Sequence, residues 1–83
     1  MLYMIELHYS IEHRDAAMRY FLDHGATHYE GKVTLENGWV ATRDGVAYAL
    51  VRTNHADEVD KACEPLRTFG KILYRQVTST DEI

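Results

Sequence analysis

One stretch, VAYALVRT at residues 46–53, constrains the fold more than any other part of the sequence. Successive side chains of a strand point to opposite sides, so its small apolar residues share one face, namely Ala47, Ala49 and Val51. The other face mixes a phenol, an aliphatic side chain and a guanidinium, from Tyr48, Leu50 and Arg52. A sheet built around this strand is expected to carry helices on one face and to leave the mixed face for another partner.

Residues 2–9 alternate loosely and predict a first strand, with one apolar and one half-polar face. Ser10 can then cap a helix over residues 11–24, and Gly25 is a natural terminator for it. The apolar arc of this helix is wider than a contact with one sheet requires. Contact with the second helix and contact with a second subunit both explain that width.

Turn signals frame the next part of the chain. Residues 26–31 predict a loop, and residues 32–42 predict a strand. Asp44 and Gly45 form a hairpin signal that leads into the strand at residue 46. Gly38 is interpreted as a bulge or bend within one strand, because a second tight turn there would leave a very short piece between the two turns.

The last third of the chain predicts a second helix and a final strand. Asn54 is the expected cap of this helix, and Pro65 is expected to end it near residue 63 or 64. Residues 71–78 predict the strand, and residues 79–83 a loose tail. The buried stripe of the helix is predicted at Ala56, Val59, Cys63 and Leu66.

The resulting order is strand, helix, strand, strand, helix, strand within a single domain over residues 1–83. Right-handed crossovers turn that order into an α+β, ferredoxin-like fold. Its sheet is expected to be four-stranded and antiparallel, with both helices on one face and with the first and third strands in the centre.

Charge and cysteine content narrow the class of protein. A formal net charge of −4 argues against a nucleic-acid partner, which normally calls for a basic patch. The single cysteine, Cys63, cannot form an intramolecular disulfide, so a cytoplasmic location is expected. Neither a signal peptide nor an apolar run of membrane-spanning length is recognised, so no membrane partner is expected.

The open sheet face is the predicted ligand site. A carboxylate, an imidazole, a guanidinium and aromatic rings on one surface suit a small anionic or aromatic molecule, with Arg52 as anion clamp and His8 as proton-sensitive group. The alternative is structural, with Glu6 and Arg52 forming a cross-strand ion pair at a subunit interface. The predicted site residues are Glu6, His8, Trp39, Tyr48, Arg52 and Tyr74.

No metal site and no cofactor are expected from the sequence. His24 and His28 have a metal-like spacing, but Gly25 lies between them and should end the helix that such a pair needs. Three or four converging ligands are required for zinc, and no such set can be assembled. Cys63 is interpreted as a buried structural thiol.

Several short motifs together carry a family resemblance. They are LYMI at residues 2–5, EHRDAA at 12–17, RYF at 19–21, EG at 30–31, GW at 38–39 and ALV at 49–51. These motifs resemble a bacterial family of short proteins known only as a domain of unknown function. The resemblance covers about two-thirds of the chain, fades after the second helix, and implies a dimeric α/β-barrel, ferredoxin-like fold. The chain departs from the family pattern at Val40, where members often carry a histidine, and at Arg52, where they often carry an acidic residue.

The expected function is that of a homodimer with a small-molecule pocket between its paired sheets. The dimer follows from apolar side chains that no helix of this chain is left to cover, at Met4, Trp39, Tyr48 and Leu50. A cofactor-independent monooxygenase or isomerase is the alternative from a different class, since the implied fold also hosts such enzymes. A pure interaction module without a ligand is the third reading.

Overall fold

The computed structural model describes residues 1–24, 27–28 and 32–83. Its helices and strands in chain order are β1 (Leu2–Tyr9), α1 (Arg14–His24), β2 (Thr27–His28), β3 (Val33–Ala41), β4 (Val46–Arg52), α2 (Ala56–Cys63) and β5 (Gly70–Val77). Three short 3₁₀ turns accompany them, at Ile11–His13, Glu64–Thr68 and Thr80–Glu82. No helix in this described part of the chain is both long and apolar enough to cross a membrane.

All strand pairs of the sheet are antiparallel, and the strand order is β2-β3-β4-β1-β5. The α+β, ferredoxin-like prediction is confirmed, with β1 and β4 in the centre. The loop predicted at residues 26–31 needs a correction, because Thr27–His28 pairs with β3 and adds a short fifth strand at the edge. The other residues of that predicted loop, and the predicted helix terminator Gly25, lie outside the described residues.

Both helices pack on the same face of the sheet, where alternation buries every second residue of β1. Val59, Ala62 and Cys63 of α2 share a core cluster with side chains at one end of the strands, among them Tyr3, Ile5, Ala49 and Val51. Ala17 of α1 packs at the other end, against Leu7, Tyr9 and Ala47. Each large apolar side chain removed from water in this way stabilises the fold by about 1.5–3 kcal/mol.

The hairpin between β3 and β4 confirms one turn prediction and shifts another. The carbonyl oxygen of Ala41 accepts hydrogen bonds from the amides of Asp44 and Gly45, and Gly45 has a φ of 69°, which glycine adopts without strain. β3 is one continuous strand with a bulge, as predicted, but the extra residue is Glu36, two positions before Gly38. This bulge lies between the register pairs Leu35–Val51 and Asn37–Leu50.

The predicted side-chain caps of both helices are wrong. The hydroxyl of Ser10 lies 2.7 Å from Nδ1 of His13 instead of accepting a backbone amide. The helix α2 has His55 at its N-cap, one residue after Asn54, and no side chain caps it. Buried Thr53 holds the start of α2 instead, because its Oγ1 accepts a hydrogen bond from the amide of His55 and donates one to the carbonyl oxygen of Lys32.

The predicted end of α2 is confirmed, whereas the predicted buried stripe of α2 is correct only in part. Pro65 follows the last α-helical residue and lies in a 3₁₀ turn, as expected for a residue without an amide proton. The exposed residue Ala56 is not part of the stripe, although Val59, Cys63 and Leu66 are. The predicted loose tail instead contains a 3₁₀ turn in which the Ser79 hydroxyl accepts the amide of Asp81.

Candidate functional site

One row of paired residues crosses the open face, which is the face of the sheet turned away from both helices. The register pairs Trp39 with Tyr48, Tyr48 with Glu6, and Glu6 with Leu73. These four residues form the central row. Neighbouring strands lie about 4.8 Å apart, so Glu6 stands roughly 10 Å from Trp39 across the sheet.

The exposed fractions of the side chains show that this face is uncovered. Trp39 retains 48% of its accessible surface and Leu73 retains 39%. Met4 and Leu50 pair with each other in the neighbouring row and are only half-buried. The open face therefore presents an apolar centre with a carboxylate in its middle.

A basic side chain lies near each carboxylate oxygen of Glu6. Nε2 of His8 lies 3.4 Å from Oε1, and Nη2 of Arg75 lies 3.5 Å from Oε2. Both distances are long for ion pairs, and the basic side chains are largely exposed, so these contacts are worth little to stability. The predicted Glu6–His8 proximity is present, and Arg75 is a neighbour that the sequence analysis missed.

Arg52 lies on the open face but away from the central row. Its cross-strand neighbour is Leu2, four residues from Glu6 along β1. Its Nε donates to Oε1 of Glu36 at 2.6 Å, so this guanidinium already has a carboxylate partner. The predicted Glu6–Arg52 ion pair is therefore wrong, because the bulge in β3 brings Glu36 to Arg52 instead.

Tyr74 lies on the helix side of the sheet, so its predicted place on the open face is wrong. It pairs with Ile5, and its hydroxyl donates to Oδ1 of Asp60 at 3.3 Å. The centroid of its ring lies 6.5 Å from that of Tyr3, in an edge-to-face arrangement. Partial burial and then the Asp60 carboxylate raise the pKa of Tyr74. Alternation could not fix this face, because Ile72, Leu73 and Tyr74 are three consecutive apolar residues.

Two cavities adjoin the sheet. One, of about 280 Å³, lies on the helix side of the sheet, with Met18, Leu35, Gly38, Val40, Ala47 and Ala49 in its lining. The other, of about 430 Å³, opens where β1 ends, and its lining includes His8, Ser10, His13, Arg67 and Gly70. The sequence signal for the first cavity was the run of small residues on one face of β4, opposite Gly38 in β3.

The profile of one sequence family, DUF3303, matches residues 1–83, and the family is described as a "Domain of unknown function". The chain belongs to the DUF3303 family. The profile extends through α2 and β5, where the resemblance seen in the sequence had faded. The Glu30–Gly31 step of that resemblance lies outside the described residues. No curated protein and no solved structure matches this DUF3303 chain.

The His, Cys, Asp and Glu side chains decide whether this DUF3303 domain could hold a metal ion or supply a thiol nucleophile. Within the described residues, no group of three or more His, Cys, Asp and Glu side chains could hold a metal ion. The side chains of His24 and His28 are outside that description. Cys63 is buried, and this burial raises the pKa of its thiol to about 11, which keeps it protonated and unreactive at neutral pH.

Proposed function

We propose that this chain is a homodimeric binding protein that holds a small aromatic or anionic molecule between two copies of its open face. The observation that carries the proposal is the central row, in which a carboxylate and two aromatic rings lie on an uncovered, largely apolar surface. Cofactor-free binding at Glu6, His8, Trp39 and Tyr48 is the function that this arrangement supports best.

Self-association follows from the cost of leaving the open face in water. A chain of 83 residues buries only about 60–65% of its unfolded surface, so its own core is thin. Both helices lie on the other face, and Trp39 and Leu73 remain among the exposed large apolar residues. A second copy offers the same apolar surface, as a two-fold interface requires.

The chemistry of the ligand follows from the groups beside the central row. Trp39 and Tyr48 provide aromatic walls, and Arg75 provides a guanidinium that only loosely contacts Glu6. Arg75 therefore takes the anion-clamp role that was predicted for Arg52, whose guanidinium is closely paired with Glu36. Closing a second sheet over these groups lowers the local dielectric constant and strengthens their contact with a carboxylate.

A fluorescence titration tests this proposal, because Trp39 is the only tryptophan. With 2-naphthoate as the probe, we expect saturable quenching of Trp39 in the wild-type protein. Arg75→Met should weaken binding at least tenfold, a loss of ~1.4 kcal/mol, because the probe's carboxylate loses its clamp. Arg52→Met is the matched control and should bind with nearly wild-type affinity. Absence of saturable quenching, or equal losses in the two variants, would refute the assigned site.

A cofactor-independent oxygenase or isomerase is the second candidate, and the Glu6–His8 contact of 3.4 Å favours it. A carboxylate with an adjacent imidazole can remove a proton from a bound substrate. Turnover of a quinol-like or lactone substrate by the wild-type protein, lost in Glu6→Gln, would select this candidate. A dimer that neither binds the probe nor turns over these substrates would instead be an interaction module.

A further inference from the structure

The helix-side cavity is separate from the proposed site between the sheets. The register places the side chains of Val40, Ala47 and Ala49 on the face that carries the helices, and Gly38 pairs with Ala49 on that face. Met18 reaches the cavity from α1. Trp39 and Tyr48 also line it, although the register places their side chains on the open face.

The cavity exists because small residues meet across two strands. Gly38 pairs with Ala49, and Val40 pairs with Ala47, so three of these four positions carry a single methyl group or no side chain. Among the described residues, a Cβ atom added at Gly38 would have the carbonyl oxygen of Tyr48 at 3.5 Å as its nearest neighbour, which is an ordinary contact. No close approach by a described backbone atom therefore requires glycine at this position.

We propose that this cavity binds a neutral, planar apolar molecule about the size of a bicyclic aromatic ring system. Its volume of about 280 Å³ exceeds the ~150 Å³ of an engineered apolar cavity that takes up benzene. The lining side chains on the helix-bearing face, within the described residues, are all apolar, so a charged ligand would lose its hydration without compensation. The thioether of Met18 suits contact with an aromatic ring.

Solvent reaches the cavity at one wall. Val40 is 41% exposed although its side chain is on the helix-bearing face. A ligand can therefore enter beside Val40 without unfolding of the core.

Methionine methyl groups provide a test that separates the two faces of the sheet. Of the three methionines, Met18 lines the cavity, Met4 lies on the open face and Met1 is at the exposed N-terminus. We expect titration with indole to shift the ¹³C-methyl NMR signal of Met18 saturably and to leave that of Met4 unchanged. Indole-3-carboxylate at the same concentration should leave the Met18 signal in place, because its charge is not matched in the cavity.

A variant that fills the cavity completes the test. Gly38→Val places an isopropyl side chain in this space and should weaken indole binding at least tenfold. Thr34→Val is the control, since it changes the exposed face of the same strand. The proposal is overturned if indole leaves Met18 unperturbed, if it shifts Met4 instead, or if Gly38→Val binds indole as well as the wild-type protein does.

Discussion

Gly70 is the described glycine at which an added Cβ atom would lie closest to backbone atoms, so a single methyl group there should cost stability. It pairs with Tyr9 at the point where β5 begins beside the end of β1. A Cβ atom there would lie 2.9 Å from the carbonyl carbon of His8 and from Cα of Tyr9, and closer still to the carbonyl oxygen of His8. These are backbone atoms in a central strand, so the two strands must separate to reach the ~3.5–4.0 Å of a relaxed contact.

The expected loss for Gly70→Ala is about 2–3 kcal/mol, the upper part of the range for overpacked sites. A domain of this size has a total stability of roughly 4–12 kcal/mol at ~0.05–0.15 kcal/mol per residue, so the loss is a large share of it. Urea unfolding measures it directly. With a slope of ~2 kcal/mol per molar urea, the middle of the range for small proteins, the midpoint should fall by about 1–1.5 M.

Gly38→Ala is the matched control for this experiment. Among the described residues, the added methyl group meets only the carbonyl oxygen of Tyr48 at 3.5 Å, and φ at Gly38 is not positive. The unfolded chain also loses conformational freedom, so this variant should be unchanged or more stable by up to about 1 kcal/mol. Equal midpoints for Gly70→Ala and Gly38→Ala would refute the close approach of β1 and β5 at Gly70.

Three further predictions follow from burial and charge. Ile5→Ala should lower the free energy of unfolding by about 2–5 kcal/mol in urea, because Ile5 is fully buried between the sheet and α2. Arg52→Met should change the free energy of unfolding by less than about 1 kcal/mol in the same assay, because the Arg52–Glu36 pair is largely exposed, and a collapse of the fold would contradict this. Burial raises the pKa of the Cys63 thiol to about 11, so the thiol ionises first in the unfolded chain, and the free energy of unfolding should fall as pH rises from about 9 toward 11. Urea midpoints measured across that pH interval test this prediction, and a midpoint that rises with pH would contradict it.

The sequence predicted the fold well because most of its elements have strong local signals. Alternation in β4 assigned both of its faces correctly, and Asp44–Gly45 and Pro65 marked the hairpin and the end of α2. The caps failed because the Ser10 hydroxyl contacts the ring of His13 and because α2 begins at Ala56, with His55 instead of Asn54 at its N-cap.

The candidate site was predicted only in part, because pairing depends on register and alternation alone does not set it. Glu6, Tyr48 and Trp39 share the central row, since the parities of β1 and β4 were clear and the bulge lies before Trp39. Arg52 and Tyr74 were misjudged for different reasons. Arg52 pairs with Glu36, the bulge residue of β3, which alternation does not predict. Tyr74 ends a run of three apolar residues, so alternation could not assign it to a face.

Sedimentation equilibrium tests most directly whether the open face joins two copies of the chain. At tens of micromolar, the wild-type protein is expected to have twice the 9.6 kDa mass of the chain. Leu50→Glu places a charge beside Met4 on the open face and should return the protein to the mass of one chain while it remains folded. A wild-type mass of 9.6 kDa, or a dimer that Leu50→Glu leaves intact, would contradict the proposed interface.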